Sequence, residues 1–197
     1  MIHGIAIHGT DFAGKTTLQQ KLCGSLRKQG LSPQTNCGPL TKSVFLSRAI
    51  DLIYQNWQGN IHEINRLLLE AYLTDKHAPQ GTEFVVQDTY FQRSLAYCHA
   101  YHLDDLVHRF EAHKIDFPQF QVNVYLDASY ETRLKRMKNR STNSPLDREM
   151  IRDPKKFEQL GFYLQQEIEH TLRYLFIQTD DLSIEEVLIR VEAHMRE

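Results

Sequence analysis

Gly9-Thr10-Asp11-Phe12-Ala13-Gly14-Lys15-Thr16 spells the pattern G-x-x-x-x-G-K-[ST], in which the glycines allow a tight turn and the lysine and hydroxyl suit a bound polyphosphate. Its flanks supply the context the pattern needs. Ile2 to His8, with Ile2, Ile5, Ala6 and Ile7, is an apolar run of buried-strand length, and Thr17 to Gln29 reads as a helix. A strand, a glycine turn and a helix in that order aim successive backbone N–H groups and the positive end of a helix dipole at one point. Gly9, Thr10, Asp11, Phe12, Ala13, Gly14, Lys15, Thr16 and Thr17 are therefore expected to cradle a nucleotide. Lys15 would reach its β- and γ-phosphates, and Thr16 would offer a hydroxyl to Mg²⁺. An ordinary glycine turn with a surface lysine accounts for the glycines but not for the strand before them and the helix after.

At 197 residues the chain is of single-domain size (1–197), large enough for a sheet covered by helices on both faces. Lys and Arg number 23 against 25 Asp and Glu, a net charge of −2. No global field recruits nucleic acid or an acidic membrane, and nucleic-acid binding is not expected. The first strand is expected to begin almost at Met1, which leaves no room for a secretory signal. No apolar stretch approaches the roughly 20 residues of a membrane span, so a soluble, cytoplasmic protein is expected. Cys23, Cys37 and Cys98 lie far apart and form no C-x-x-C pair. They read as reduced thiols, two of them in the core.

Strand and helix signals alternate along the chain. Gln34 to Cys37 reads as a short strand between Gly30-Leu31-Ser32-Pro33 and Gly38-Pro39, and helices are expected over Val44 to Trp57 and Ile61 to Lys76. Phe84-Val85-Val86 is β-rich and ends at Gln87-Asp88, where a carboxylate would face the ligand crevice of an open α/β sheet. Tyr90 to Phe110 reads as helical in pieces, Gln121 to Leu126 as a strand ending at Asp127, and Glu131 to Arg140 as a basic helix. After the small, polar Ser141 to Pro145 come a helix over Pro154 to Arg173, a strand over Leu175 to Gln178 and a closing helix over Ile184 to His194. The alternation predicts an α/β fold, a parallel sheet sandwiched by helices with right-handed crossovers.

These segments resemble the thymidylate kinase family across nearly the whole chain. The loop GTDFAGKTT is similar to that family's phosphate loop, and the resemblance gives Asp11 a contact with the acceptor's sugar hydroxyl. Asp127 to Arg140, followed by Leu146-Asp147-Arg148, is similar to its arginine-rich lid, here about 136–150. An arginine folded over the transferred phosphoryl group stabilises its spread charge, so Arg140 and Arg148 are the catalytic candidates, with Arg136 behind them. A solvated basic helix face is the plainer reading of that charge run. Asp88-Thr89-Tyr90-Phe91-Gln92-Arg93-Ser94-Leu95-Ala96-Tyr97 is similar to the family's D-R-[YH] loop with its trailing Ala-Tyr. Asp88 could orient the attacking oxygen or a metal-bound water, or merely cap the next helix. The resemblance implies a P-loop kinase that uses ATP and Mg²⁺, with Lys15, Asp88, Arg140 and Arg148 catalytic, a deoxynucleoside monophosphate such as dTMP as acceptor, and a homodimer.

Three family cations are missing: Asn36, Leu73 and Thr89 stand where arginines would hold an acceptor phosphate. Arg93, Lys42, Arg48 and Lys76 could replace them from shifted positions, or the acceptor could be uncharged there. A kinase for a nucleoside or another small alcohol, and a non-catalytic nucleotide-binding module, are the alternatives. Tyr72, Phe91 and Tyr97 are candidates for stacking on the acceptor base, although such spacings also suit core packing; together with Asp11, Arg48 and Arg93 they form the expected acceptor site. His99, His102, His108 and His113 cluster loosely, but their spacing matches no ligand pattern, so no metal site beyond Mg²⁺ at Thr16 is expected.

Overall fold

The computed structural model describes residues 1–77, 83–139 and 153–197. Five strands, β1 (Ile2–His8), β2 (Gln34–Cys37), β3 (Val85–Asp88), β4 (Phe120–Asp127) and β5 (Tyr174–Gln178), form one sheet in the order β2-β3-β1-β4-β5. Every pairing is parallel, so all the strands end at one edge, where open α/β sheets place their ligands. β1 lies at the centre, and the loop that follows it therefore opens in the middle of that edge.

The described helices are α1 (Lys15–Lys28), α2 (Val44–Asn56), α3 (Ile61–Leu73), α4 (Phe91–Ala100), α5 (Asp104–His113), α6 (Tyr130–Lys138), α7 (Pro154–Ile168) and α8 (Ile184–Arg196). They cover both faces, as the alternation of strands and helices predicts. Successive strand residues point to opposite faces. Ile5 and Ile7 of β1 pack with Leu18, Leu22 and Leu26 of α1 and Val187 and Val191 of α8. Ala6 joins Leu69, Phe91, Leu95, Leu106 and Phe110 on the other side. A third cluster gathers Trp57, Tyr97 and Tyr125 with the i, i+4, i+8 stripe Leu160, Leu164 and Ile168 of α7.

Several boundaries differ from expectation, for local reasons. The helix expected over Ile61 to Lys76 ends at Leu73 and tightens into a 3-10 turn, Thr74–His77. There the buried Asp75 carboxylate accepts from the amides of Leu40 and Thr41 and the hydroxyl of Tyr90. The helix expected to reach Arg173 ends at Ile168, because the chain must turn into β5 and Arg173 adopts φ 44 to do so. The break between α4 and α5 falls at His102, with φ 56. Cys23 and Cys98 are buried and Cys37 is exposed, all three as free thiols. Among the described residues no helix is long and apolar enough to cross a membrane.

Candidate active site

The turn from β1 into α1 is built as its glycines require. Gly9 sits at φ 138, and a Cβ there would lie 2.3 Å from the carbonyl oxygen of Leu126 on β4. Any side chain would push loop and strand apart. Gly14 caps α1 at φ 107 without a side-chain partner for the first-turn amides, and nothing lies within 4 Å of where its Cβ would be. Open space therefore stands above uncapped N–H groups at a helix's positive end, the setting in which a phosphate binds.

A cleft of about 700 Å³ opens over this turn. Asp11 to Thr17 line it, as do Asp88 at the end of β3 and Arg93 on the first turn of α4. Gly9 and the wholly buried Thr10 lie beneath the loop, outside the cleft lining. The Lys15 ammonium donates to the Thr10 carbonyl at 2.9 Å. Burial pulls its pKa below the ordinary value, opposed by the charge of Asp88. The Thr16 hydroxyl donates to Asp88 Oδ2 at 2.8 Å, and the Thr89 hydroxyl to Asp88 Oδ1 at 3.0 Å. Thr89 itself holds φ 66, a strained conformation for a β-branched residue. Its amide donates to Ile7 O, and its carbonyl accepts from the Gly38 amide and the Gln87 side chain.

Arg93 crosses the cleft to Asp11. Its Nη2 donates to Asp11 Oδ1 at 2.5 Å, and the guanidinium stands 5.7 Å from the Tyr97 ring centre. Burial alone would raise the Asp11 carboxyl, but Arg93 and Lys15 beside it hold it below its ordinary value. Burial would lower Arg93, yet Asp11 more than reverses that and holds it well above.

Other expected residues lie elsewhere. Tyr72 and Phe91, at 3 % and 1 % exposure, do not reach the cleft. Their rings are taken up by core neighbours, Tyr72 edge-on to Tyr90 at 5.3 Å and Phe91 against Phe117 at 4.4 Å. Tyr97 is buried beside Trp57, with ring centres 5.9 Å apart. Arg48 is exposed on α2 and absent from the cleft lining, because the helix turns that position outward. Arg140, Arg148 and the lid beyond Asn139 fall outside the described residues. Of the histidines, His99 meets Glu111 and Glu167, with ligand atoms within 4.8 Å of one another. Lys114 already bridges these glutamates, at 3.5 and 2.6 Å, so their charge is answered by an ammonium.

At the other end of the cleft the sequence offered only Arg136, behind the lid arginines. Arg136, Asn139, Thr179, Leu182, Ile184 and Val187 line it, together with Gln20 of α1. Arg136 Nη1 donates to the carbonyls of Phe12 and Ala13 at 3.1 and 3.2 Å, and Nη2 to Thr179 O at 2.9 Å. Asp180 holds the start of α6 beside this segment, accepting from the Ser129 amide at 3.0 Å and the Thr132 hydroxyl at 2.6 Å. Although burial alone would raise the Asp180 carboxyl, hydrogen bonds from Ser129 and Thr132 hold it well below its ordinary value. The position of Thr179, directly after β5, was the available signal, since ligands gather beyond the carboxyl ends of strands.

Residues 7–191 match the family model described as thymidylate kinase. The chain belongs to the thymidylate kinase family. It is accordingly an ATP-dependent phosphotransferase. No curated protein matched the chain. Among solved structures it is similar to deoxyadenosine kinase from M. mycoides, described as bound to the products dCMP and a flexible dCDP, with a TM-score of 0.68, 17 % identity and 98 % of each chain covered. The same enzyme with bound dATP aligns at 16 % identity and TM-score 0.68, covering 98 % of this chain and 100 % of that one. With bound dCTP it aligns at 17 % identity and TM-score 0.65, covering 98 % of each.

The missing family cations now have a structural description. Asn36 donates to the Gln87 side chain at 2.9 Å and to Pro39 O at 3.1 Å, and Gln87 donates to Gly38 O at 2.8 Å. A neutral amide network thus occupies the end of β2. Leu73 packs against the apolar cluster that contains Ala6. Lys76 is 2.5 Å from Asp116. Of Arg93, Lys42, Arg48 and Lys76, Arg93 alone lines the cleft.

Proposed function

We propose that this chain transfers the γ-phosphoryl group of ATP to the 5′-hydroxyl of a deoxynucleoside. The observation that carries the reading is the charge balance at the acceptor end. Asp11 and Asp88 face Lys15 and Arg93, and Arg93 is already engaged by Asp11. Among the described residues, a phosphate dianion entering here would meet two carboxylates and find no disengaged guanidinium lining the cleft. It would forgo charge-assisted hydrogen bonds worth about 1.5–3 kcal/mol each. A neutral hydroxyl suits the same groups, since a carboxylate in the position of Asp88 orients the nucleophile and accepts its proton.

On the donor side, the turn amides and Lys15 hold the phosphates, and Arg136 with Leu182, Ile184 and Val187 flanks the base. Thr16 fits a magnesium ion, because its hydroxyl oxygen is a hard donor at the start of α1, 2.8 Å from Asp88 Oδ2. When bound, Mg²⁺ neutralises phosphate charge that develops during transfer.

The family match favours a second reading, with thymidylate as acceptor, which requires Arg93 to leave Asp11 for the substrate phosphate. A steady-state panel of deoxynucleosides and their monophosphates, with ATP and Mg²⁺, separates the two. The expected result is a kcat/KM at least about tenfold higher for the nucleosides, the equivalent of one lost charge-assisted hydrogen bond. Turnover of thymidylate without thymidine overturns the first reading in favour of the second. Nucleotide binding without phosphorylation of any acceptor points to a non-catalytic module.

A further inference from the structure

Arg133, on the inward side of α6, lies in the stretch that resembles the family's arginine-rich lid, yet it is none of the candidate catalytic arginines Arg136, Arg140 and Arg148. It is 3 % exposed. One arm of its guanidinium donates to the Thr10 hydroxyl and the other to the Asp127 carboxylate at the end of β4. The Phe157 ring of α7 lies 4.2 Å from its central carbon. A buried guanidinium is costly unless it is paired, and here Asp127 provides the pairing.

Thr10 is also fully buried and is held from two sides: its hydroxyl takes Arg133, while its carbonyl takes the Lys15 ammonium at 2.9 Å. We propose that Arg133 is a positioning residue for Lys15, acting through Thr10 and anchored by Asp127 and Phe157. It is not among the residues that line the cleft. Its effect is to fix the one loop residue on whose carbonyl Lys15 rests, so that the ammonium meets the transferring phosphoryl group without first reorganising the loop. Preorganisation of this kind acts on the transition state more than on binding.

The inference rests on the kinase reading of the loop, and the experiment separates the two. Wild type, Arg133→Gln, Thr10→Val and the double variant are compared for kcat, KM for ATP and thermal midpoint. Each single substitution is expected to lower kcat about tenfold, the worth of one well-placed hydrogen bond, with KM for ATP changed by less than about threefold. The double variant is expected to be no slower than the slower single, because both break one link. Arg133→Lys is expected to restore part of the loss.

Multiplied losses in the double variant, or a lowered thermal midpoint with unchanged kcat, overturn the proposal and leave Arg133 a folding residue. If Arg133→Gln fails to fold, Thr10→Val decides alone, and wild-type kcat in that variant overturns the proposal. A wild-type protein inert towards every acceptor defeats the functional reading, and this inference falls with it.

Discussion

Lys15 is folded down onto its own loop, its ammonium resting on the Thr10 carbonyl and its charge opposed by Asp88. In the proposed reaction a lysine so placed exchanges one carbonyl for phosphate oxygens when a nucleotide arrives. Lys15→Ala is expected to lower kcat at least about 10²-fold, the scale of losing one preorganised charge donor. Circular dichroism should show an unchanged fold, and a collapse of the melting transition instead would count against this role. The loop was readable because its signal is local, eight consecutive residues whose types the turn demands. Tyr72 and Phe91 were not, because an aromatic on a helix can serve core or cleft, and only the packing of Tyr90, Phe117 and α3 around them decides.

Each element that carries a site residue is pinned where that residue must stand. α8 brings Ile184 and Val187 to the cleft and starts with a capping box, in which Glu186 accepts from the Ser183 amide and Ser183 accepts from the Glu186 amide. α1 is tied to the sheet by Gln19, whose amide donates to Asn36 O at 3.0 Å and Val86 O at 2.8 Å. α7 backs the Arg133 pocket with its buried stripe, so Leu164, fully buried, supports the site from a distance. Leu164→Ala is expected to cost about 2–5 kcal/mol of stability in urea unfolding, with kcat of the folded enzyme retained; a change smaller than the lower bound would mean the pocket collapses around the gap. Most helices and strands were legible in hydrophobic periodicity. Their ends were not, because a turn such as that at Arg173 answers to where the next strand lies.

At the scale of the molecule, acid stability depends on a residue beneath the loop. His8, at the end of β1, is 1 % exposed and shares a 3.3 Å contact with Asn123 Oδ1. Burial holds its pKa at about 4 against an ordinary 6.5. Between these values the unfolded chain binds a proton that the folded one does not, so stability rises with pH across this window and is lost as pH falls through it. From the shift to about 4, the loss approaches about 3 kcal/mol near pH 4. His8→Gln should flatten the unfolding free energy between pH 4.5 and 7, and an unchanged slope would remove His8 from the account. The low pKa of Asp180 makes its stabilisation disappear in acid too, at pH values below the ordinary carboxylate range.

Sequence alone determined the phosphate loop, the parallel α/β fold and the family, because each rests on residues adjacent in the chain or on a period of two or three to four. Tertiary structure decided the rest. That Arg93 neutralises Asp11, that Asn36 and Gln87 close the place of a family arginine, and that Arg133 reaches Thr10 all involve residues 51 to 123 positions apart. Such partners meet only when strands and helices bring their ends together at one edge of the sheet. Charge balance, on which the proposed acceptor rests, is therefore a property of the assembled cleft and is carried by no single stretch of chain.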